Sequence, residues 1–442
     1  MLKLRSQNKL NPGNIDDYIK SISCFEDKAI FTNPDELPQK IVAMSDIHGD
    51  LEALFSILLN AEVINIKGEW KANNTFLVIT GDIFDKGRNS RILPRVGVRP
   101  DRCDGYNGPD MYIPYDIIDK VGNVKTLSNQ SLFDLIYTNE PFGEEGDEII
   151  ILKFLADLNN QAQSGNFGNS RVLLCFGNHE VLNVMDYIDT NYVSAIKHGY
   201  IHPMDTLLFG GPTYPKRKEL FTVGTGLLSQ KLACIFKLIV VVGDFIFCHG
   251  GLNSNALRDI NSIDQLDGIN HMFKQYLLGA PDIDITLLNR YVGNNTESIV
   301  WYRAQGDKYI IDKICDETIQ MFTNKFGNPN FNLVIGHSPQ GECIDKPSKI
   351  NDALPKPRLC WDRKNSNGTV DTCITMPNSV CNNQIYRIDT LISRMNSTSD
   401  YRYPAEGRLN SLIIDLNPNG SKRSVIARNN VVRDIQLYPP QP

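Results

Sequence analysis

The 442-residue chain lacks the features that would place it in a membrane or on nucleic acid. No stretch approaches the roughly 18 consecutive apolar residues that predict a membrane-spanning helix. The residues after Met1 contain no apolar run of the kind found in signal peptides. An excess of basic residues is missing as well, because the net charge is -6, which gives no basic footprint for nucleic acid. We therefore predict a cytoplasmic protein that neither spans membranes nor binds nucleic acid.

The chain also lacks the Cys-x-x-Cys spacing that is typical of structural zinc sites. Its ten cysteines are spread along the whole length. Cys175 and Cys248 fall within predicted core strands, where a thiol packs as a small apolar group. Four others lie in a Pro- and Asn-rich segment, namely Cys343, Cys360, Cys373 and Cys381. We expect free thiols at these four positions and a reducing compartment.

What the chain does contain is a repeated local pattern, in which a short apolar run ends in a turn holding Asp, Asn or His. The runs cover residues 41–44, 76–79, 172–176, 245–248 and 333–335, and the turns after them contain Asp46 with His48, Asp82, Asn178 with His179, His249, and His337. Such runs between turn residues predict buried strands. Because ligands gather beyond the carboxyl ends of strands in open α/β sheets, these turns indicate one shared site.

The donor atoms of these turns favour divalent cations. None of the turns offers a thiolate among the candidate ligands, and imidazole nitrogen with carboxylate or amide oxygen suits hard or borderline ions. Two ions about 3.5–4 Å apart can bind the attacking and the leaving oxygen of a phosphoryl displacement. Such a pair needs a bridging carboxylate. The predicted metal ligands are Asp82 as the bridge, Asp46 and His48 for one ion, and Asn178, His249 and His337 for the other.

The spread of the motifs predicts one domain with insertions, because Asp46 and His337 must meet in a single site. Residues 1–40 are polar and rich in turn signals, which predicts a loosely ordered extension with one short helix. The domain covers residues 41–435, and a tail covers residues 436–442. Segments near residues 88–148 and 341–383 are predicted to be insertions. The first leaves the Asp82 turn directly, so it is either a lid over the site or a surface loop.

Periodicity predicts further elements. Helices are expected over residues 51–59 and 149–158, since apolar residues recur there at helical spacing. The apolar stretch over residues 232–248, broken at Gly243 and Asp244, predicts a hairpin whose second strand leads to His249. Strands are also expected over residues 384–389, 412–416 and 424–428.

The turns form a set of motifs with a recognisable order. They are Asp46-x-His48-Gly49, Gly81-Asp82-x-x-Asp85-Lys86-Gly87, Gly177-Asn178-His179-Glu180, His249-Gly250-Gly251-Leu252 and Gly336-His337-Ser338-Pro339. This set resembles the calcineurin-like metallophosphoesterase superfamily and, within it, the bacterial-like branch of the serine/threonine phosphoprotein phosphatases. Glu180 favours the protein-phosphatase branch, because relatives that act on small nucleotides tend to carry Asp there.

The resemblance implies a fold and a reaction. The fold is of the α/β (α+β) class, a β-sandwich of two mixed sheets flanked by helices, with a dimetal site at the carboxyl-terminal edge of the strands. The expected cofactors are two divalent metal ions, manganese, iron or zinc. The expected reaction is hydrolysis of a phosphomonoester by a hydroxide that bridges the two ions, with a phosphoprotein or phosphopeptide as substrate. The resemblance identifies no regulatory partner.

The same resemblance implies roles for the remaining motif residues. His179 would protonate the leaving oxygen as a general acid, and Asp85 would orient its imidazole. Arg303 lies in a block, residues 298–303, that resembles one whose Arg holds the substrate phosphate; an ordinary ion pair is the alternative for this residue. Lys86 stands where the family usually has Arg, and Arg88 is a nearby guanidinium that can supply a bidentate fork.

Three other functions are compatible with the same ligands. A hydrolase of dinucleoside polyphosphates or another small phosphate would use every predicted ligand. A phosphodiesterase would do so too. A non-catalytic phosphate-binding protein is disfavoured, because a chain selected only for binding need not keep both His179 and Asp85.

Overall fold

The computed structural model describes residues 15–49, 51–84, 116–118, 124–126, 148–185, 214–306, 311–338, 376–390, 409–429 and 434–439. The helices in these ranges are α1 (Ile15–Lys20), α2 (Leu51–Asn60), α3 (Glu148–Ala162), α4 (Asn178–Val184), α5 (Tyr214–Phe221), α6 (Leu227–Ile235), α7 (Leu266–Leu277), α8 (Ile285–Val292) and α9 (Ile311–Phe326). Two short 3-10 helices cover Pro34–Glu36 and Ala304–Gly306. No described helix combines the length and the apolar character that a bilayer-spanning segment requires.

The strands of the same ranges form two mixed sheets and a small separate ribbon. They are β1 (Ile30–Phe31), β2 (Lys40–Met44), β3 (Thr75–Ile79), β4 (Asp116–Ile118), β5 (Val124–Thr126), β6 (Arg171–Cys175), β7 (Phe236–Lys237), β8 (Val240–Val242), β9 (Phe245–Cys248), β10 (Asn332–Ile335), β11 (Asn378–Val380), β12 (Ile385–Arg387), β13 (Asn410–Leu416), β14 (Lys422–Asn429) and β15 (Ile435–Tyr438). The predicted β-sandwich of two mixed sheets flanked by helices is confirmed.

Each sheet contains a run of parallel strands. The seven-stranded sheet has the order β15-β14-β13-β2-β3-β6-β7, in which β2, β3, β6 and β7 are parallel neighbours. The six-stranded sheet has the order β1-β8-β9-β10-β12-β11, in which β9, β10 and β12 are parallel. Parallel strands end at the same edge of a sheet, so each sheet brings several turns to one edge.

Alternating side chains explain why these strands are apolar along their whole length. In β2, Ile41 and Ala43 belong to a smaller apolar cluster that contains side chains from both sheets, whereas Val42 and Met44 belong to the main cluster with the helices. Phe31 of the six-stranded sheet and Phe76 of the seven-stranded sheet meet in the smaller cluster, with ring centroids 5.2 Å apart. Strands buried on both faces are typically apolar throughout.

The ends of the domain differ from the predicted boundaries. Residues 1–40 are predicted to form a loosely ordered extension with one short helix. The described part of this range contains the short helix α1, but Tyr18 and Ile19 are buried in the main cluster and β1 pairs with β8. Because burial of these apolar side chains is favourable, this segment packs against the domain and does not form a loosely ordered extension. At the other end, β15 pairs with β14, so the predicted boundary at residue 436 falls inside a strand. The predicted insertion over residues 341–383 likewise contains β11.

Two disulfide bonds among the described residues correct the prediction for the cysteines. Cys24 is bonded to Cys234, and Cys315 is bonded to Cys381. The expectation of a free thiol at Cys381 is therefore wrong, and Cys343, Cys360 and Cys373 lie outside the described residues. The bonded partners are 210 and 66 residues apart in sequence, so spacing along the chain does not reveal them. Cys175 and Cys248 are buried free thiols, as predicted.

The locally predicted elements are largely present. Helices α2 and α3 cover the two expected helical segments, and β8 and β9 form the hairpin around Gly243 and Asp244. The apolar stretch before this hairpin divides between the end of α6 and the short strand β7. Its composition suits a buried helix as well as a strand, and periodicity alone does not separate the two.

Candidate metal centre

The candidate ligands lie on turns that continue the pairing of the strands before them. Beyond β2 and β3, the backbone N–H of Asp46 donates to the Gly81 oxygen at 3.1 Å, and that of His48 donates to the Asp82 oxygen at 2.9 Å. Beyond β9 and β10, the N–H of Gly336 donates to the His249 oxygen at 2.8 Å. These bonds hold the turns of each sheet together where the strands end.

Four of the candidate ligands have a backbone conformation that non-glycine residues rarely adopt. The φ angles of Asp46, His48, Asp82 and His337 are 55°, 46°, 54° and 62°. Such left-handed residues cost energy, and they cluster at sites where their geometry serves a function. Their presence on three separate turns indicates a functional site.

The Asp82 carboxylate lies at the centre of this site and is 2% exposed. Its Oδ2 atom is 3.8 Å from His48 Nε2, 3.8 Å from His179 Nε2 and 3.3 Å from His249 Nε2. The side chains form two groups, each with ligand atoms within 4.8 Å of one another: Asp82 with His48 and His179, and Asp82 with His249 and His337. Because Asp82 belongs to both groups, it has the position required of a bridging ligand.

Backbone carbonyls fix the orientation of two imidazoles. His249 Nδ1 lies 2.7 Å from the Thr80 oxygen, and His48 Nδ1 lies 3.3 Å from the Phe84 oxygen. A carbonyl oxygen only accepts, so each Nδ1 carries the hydrogen. The Nε2 atoms therefore face the site, where His249 Nε2 is 2.9 Å from Asn178 Oδ1. Partners of this kind are what orient the imidazole ligands of metal ions.

His337 supplies a nitrogen that suits a cation. Among the residues that the structure describes, its Nε2 atom is buried and has no hydrogen-bond partner. Burial, together with the positive charges of His249 and Arg303, holds the pKa of His337 well below its usual range. The imidazole is therefore neutral at neutral pH and has a lone pair for a metal ion. Buried polar atoms are seldom left unpaired, so a cation here would satisfy this one.

The electrostatics around Asp82 also fit a cation. Burial alone would raise the pKa of Asp82, but the neighbouring His249 and His179 outweigh it and lower this pKa well below its usual value. Burial alone would lower the pKa of His249, whereas the Asp82 carboxylate raises it to about 9. An ionised, buried carboxylate needs positive charge close by. The donor set and this charge together fit divalent ions.

Asp46 has a different environment from Asp82. Its Oδ2 atom accepts the backbone N–H of His337 at 3.2 Å and the hydroxyl of Ser45. Asp46 belongs to neither of the two ligand groups found among the described residues. Burial and the nearby Asp389 raise its pKa well above the usual value. Asp46 therefore lies at the site with one oxygen engaged by the protein.

Asp389 is a site residue that sequence reasoning missed. It follows β12, which pairs in parallel with β10, and the N–H of Ile388 donates to the Ile335 oxygen at 2.8 Å. This register brings Asp389, which is 3% exposed, to the same edge as His337. The signal in the sequence is weaker here than at the other turns, because Arg387 interrupts the run at residues 385–388 that precedes Asp389.

Two glycines permit the close approach of the turns after β3 and β6. A Cβ atom on Gly81 would lie 2.4 Å from the Gly177 nitrogen, and one on Gly177 would lie 2.1 Å from Asp82 Oδ1. Neither contact is tolerable, so larger residues would push the Asp82 and Asn178 turns apart.

The structure thus brings all six predicted metal ligands to one buried site. His179 is there too, with its backbone N–H donating to Asp82 Oδ1 at 3.1 Å. Arg303 is adjacent, because its Nη1 atom donates to the His337 oxygen at 2.7 Å. Asp85, Lys86 and Arg88 lie outside the described residues, so the predictions for these three remain predictions.

Comparison with known proteins identifies related chains. Shewanella-like protein phosphatase 1 of Plasmodium berghei is 27% identical over 307 residues, which are 68% of this chain and 61% of that protein. Shewanella-like protein phosphatase 2 of Arabidopsis thaliana is 22% identical over 332 residues, 73% of each chain. The alignment thus spans less than two thirds of the first relative. No protein-family model matches the chain.

A solved structure shares the fold. The crystal structure of the cold-active protein-tyrosine phosphatase of a psychrophilic Shewanella species superposes with a TM-score of 0.53 at 16% sequence identity, over 95% of this chain and 84% of that one. The resemblance to the calcineurin-like metallophosphoesterases is confirmed. In this metallophosphoesterase-like chain, the His and Asp groups around Asp82 are able to hold metal ions.

Proposed function

We propose that the chain is a metal-dependent phosphatase that hydrolyses phosphomonoesters, with phosphoserine and phosphothreonine in proteins as its substrates. One observation carries the proposal: a single buried carboxylate, Asp82, is shared by two groups of potential ligands. A shared carboxylate is what a pair of ions requires in order to act on one phosphate.

Two divalent ions in this site would lower the pKa of water and offset the charge that develops on the phosphate. His48 and Asp46 would serve one ion, and Asn178, His249 and His337 would serve the other, with Asp82 between them. The protein holds these ligands in advance through backbone contacts such as those at Thr80 and Phe84. Such preorganisation avoids a cost of rearrangement during the reaction.

His179 is our candidate for the general acid. Its Nε2 atom lies 3.8 Å from Asp82 Oδ2, the same distance as that of His48 Nε2. Its ring packs edge-on against His48, with centroids 4.9 Å apart. This location at the edge of the candidate metal centre supports a role in which the imidazole donates a proton to the leaving oxygen.

Arg303 is our candidate for holding the phosphate. Its guanidinium is anchored at one nitrogen by the His337 carbonyl. A guanidinium has five N–H donors in a planar fork that matches two phosphate oxygens. The contact with His337 keeps this guanidinium beside a candidate metal ligand, which supports a role in binding the phosphate.

The proposal also specifies which phosphorylated residue the enzyme hydrolyses. Two relatives are named protein phosphatases, which supports a protein substrate. The structural neighbour is named a protein-tyrosine phosphatase. Phosphotyrosine is therefore the second candidate substrate. Small phosphates such as dinucleoside polyphosphates use the same metal ligands and are the further alternative.

One set of assays tests these possibilities. The purified chain, supplied with manganese, is given the same peptide carrying phosphoserine, phosphothreonine or phosphotyrosine, and separately diadenosine tetraphosphate and bis-p-nitrophenyl phosphate. We expect the highest kcat/KM on the phosphoserine or phosphothreonine peptide. His179→Asn and Asp82→Asn serve as inactive controls. Wild-type turnover equal to both controls with manganese, iron and zinc would refute the phosphatase.

A further inference from the structure

The carboxylate of Glu180 is a point of contact between two ligand turns. Glu180 is fully buried in the first turn of α4. Its Oε1 atom accepts the backbone N–H groups of Ile83 at 2.7 Å and Phe84 at 3.0 Å. Its Oε2 atom accepts those of Asp82 at 3.0 Å and Gly177 at 2.7 Å.

These four hydrogen bonds occupy all the acceptor positions of the carboxylate. Two carboxylate oxygens offer about four acceptor positions, and here each oxygen receives two donors. Three of the donors belong to the turn after β3 and one to the turn after β6. Glu180 therefore joins the turn that bears Asp82 to the turn that bears Asn178.

The bonds also act on the orientation of Asp82 itself. The backbone N–H of Asp82 is held by Glu180, while its Oδ1 atom accepts the N–H of His179 at 3.1 Å. With Oδ1 engaged in this way, Oδ2 is the oxygen that faces the histidines. The direction of the shared carboxylate is thus set from both sides by the pair Glu180 and His179.

We propose that Glu180 is a positioning residue that sets the spacing of the Asp82 and Asn178 turns, and through it the separation of two metal ions. The inference rests on the proposed function, because it presupposes a pair of ions at Asp82. In this role, Glu180 neither binds a metal ion nor transfers a proton, and it acts only by positioning the two turns.

Replacement of Glu180 by glutamine tests the hydrogen bonds without changing the size of the side chain. Glu180→Gln keeps the shape but replaces one acceptor oxygen by an NH₂ group. Whichever way the amide turns, this NH₂ group meets two backbone donors, so two buried N–H groups lose their acceptor. Glu180→Asp keeps both acceptor oxygens but is one methylene shorter, so it reaches fewer of the four donors.

A matched control is available away from the metal centre. Asn270 is buried, and its Oδ1 atom accepts the backbone N–H groups of Leu238 at 2.8 Å and Ile239 at 3.0 Å. Asn270→Ala therefore also leaves two buried N–H groups without their acceptor. We expect it to lower the melting temperature without changing metal binding.

The test is a titration of the metal-free protein with manganese. Calorimetry measures the affinity and the number of ions bound, and electron paramagnetic resonance measures the spin coupling between them. We expect wild type and Asn270→Ala to bind two ions with a spin-coupled spectrum. Glu180→Gln should bind the weaker ion about 10- to 100-fold less tightly, the effect typical of losing a partner of a metal ligand, and lose the coupling. Glu180→Asp should show a smaller loss of affinity and a weakened coupling. If Glu180→Gln does not fold, the result for Glu180→Asp alone tests the positioning role.

The outcomes distinguish this inference from the proposed function. If wild type binds two coupled ions and both Glu180 variants do the same with unchanged affinity, the positioning role is refuted and the phosphatase stands. A melting temperature lowered without any change in affinity or coupling likewise reduces Glu180 to a structural role. If wild type binds no ion, or only one, the proposed function itself fails.

Discussion

The Nδ1 atom of His249 lies 2.7 Å from the backbone oxygen of Thr80. His249 follows β9 of the six-stranded sheet, and Thr80 follows β3 of the seven-stranded sheet. The contact therefore joins the two sheets at the edge where their parallel strands end. It also leaves His249 Nε2 directed at Asp82, so one hydrogen bond both joins the two sheets and orients a candidate metal ligand.

Substitution of His179 separates proton transfer from metal binding. We expect His179→Asn to bind two manganese ions like wild type and to lower kcat about 10²- to 10⁴-fold, the usual contribution of a general acid. His271→Asn is the control, because His271 is exposed and outside the site. Calorimetry and phosphopeptide turnover are measured on the same preparations. Loss of one ion together with activity would make His179 a ligand instead of an acid.

Substitution of Arg303 tests the phosphate contact. We expect Arg303→Ala to lower kcat/KM on the phosphopeptide about 10- to 100-fold, since hydrogen bonds to charged groups contribute about 1.5–3 kcal/mol. Arg303→Lys should recover only part of this loss, because an ammonium lacks the planar fork. Arg290→Ala, whose side chain pairs with Asp259 instead, is the control. Unchanged kcat/KM in Arg303→Ala would leave this residue with an ordinary structural contact.

The disulfides predict the result of a peptide map. In unreduced protein, we expect Cys24 linked to Cys234 and Cys315 linked to Cys381, with Cys175 and Cys248 protected from alkylation until the chain unfolds. Replacing Cys24 and Cys234 together by Ser should lower the free energy of unfolding by roughly 2–5 kcal/mol, because the bond closes a long loop. Alkylation of Cys24, Cys234, Cys315 or Cys381 in native, unreduced protein would contradict the pairing.

The ion pairs of Asp27 predict a pH dependence of stability. Burial alone would raise the pKa of Asp27, but hydrogen bonds from Lys237 and Lys274 lower it from 3.8 to about 2. The stabilisation is therefore complete well above pH 3.8 and is lost as the pH falls from there toward about 2. It should be modest, since the Asp27 side chain is 54% exposed and water screens the charges.

Urea unfolding of wild type and Asp27→Asn at several pH values measures this effect. We expect the variant to be less stable at about pH 6, and the difference to shrink as the pH is lowered to about 3. A difference that stays constant over this range would mean that the ionised carboxylate is not the cause.

The strand-end turns were predictable from the sequence for a physical reason. A strand buried on both faces is apolar along its length, so the polar residues after Met44, Ile79 and Cys248 mark where burial in the sheet ends. Parallel strands then bring those residues to one edge. The candidate ligands follow this local pattern, so they could be predicted without knowing how the sheets are ordered.

Features that depend on the pairing of strands far apart in the sequence could not be predicted from local sequence patterns. The pairing of β13 with β2 joins Leu412 to Ala43, and no local signal in either strand identifies the other. The two-residue strand β1 is too short to show a period of two. Asp389 was assigned to the end of a strand, yet only its register beside β10 reveals that it lies at the site.

Anomalous X-ray scattering from crystals grown with manganese tests the central claim most directly. We predict two manganese peaks about 3.5–4 Å apart, one between Asp82 and His48 and the other between Asp82, His249 and His337, with Asp82 contacting both. A single peak, or two peaks that do not share Asp82, would contradict a two-metal phosphatase built around this carboxylate.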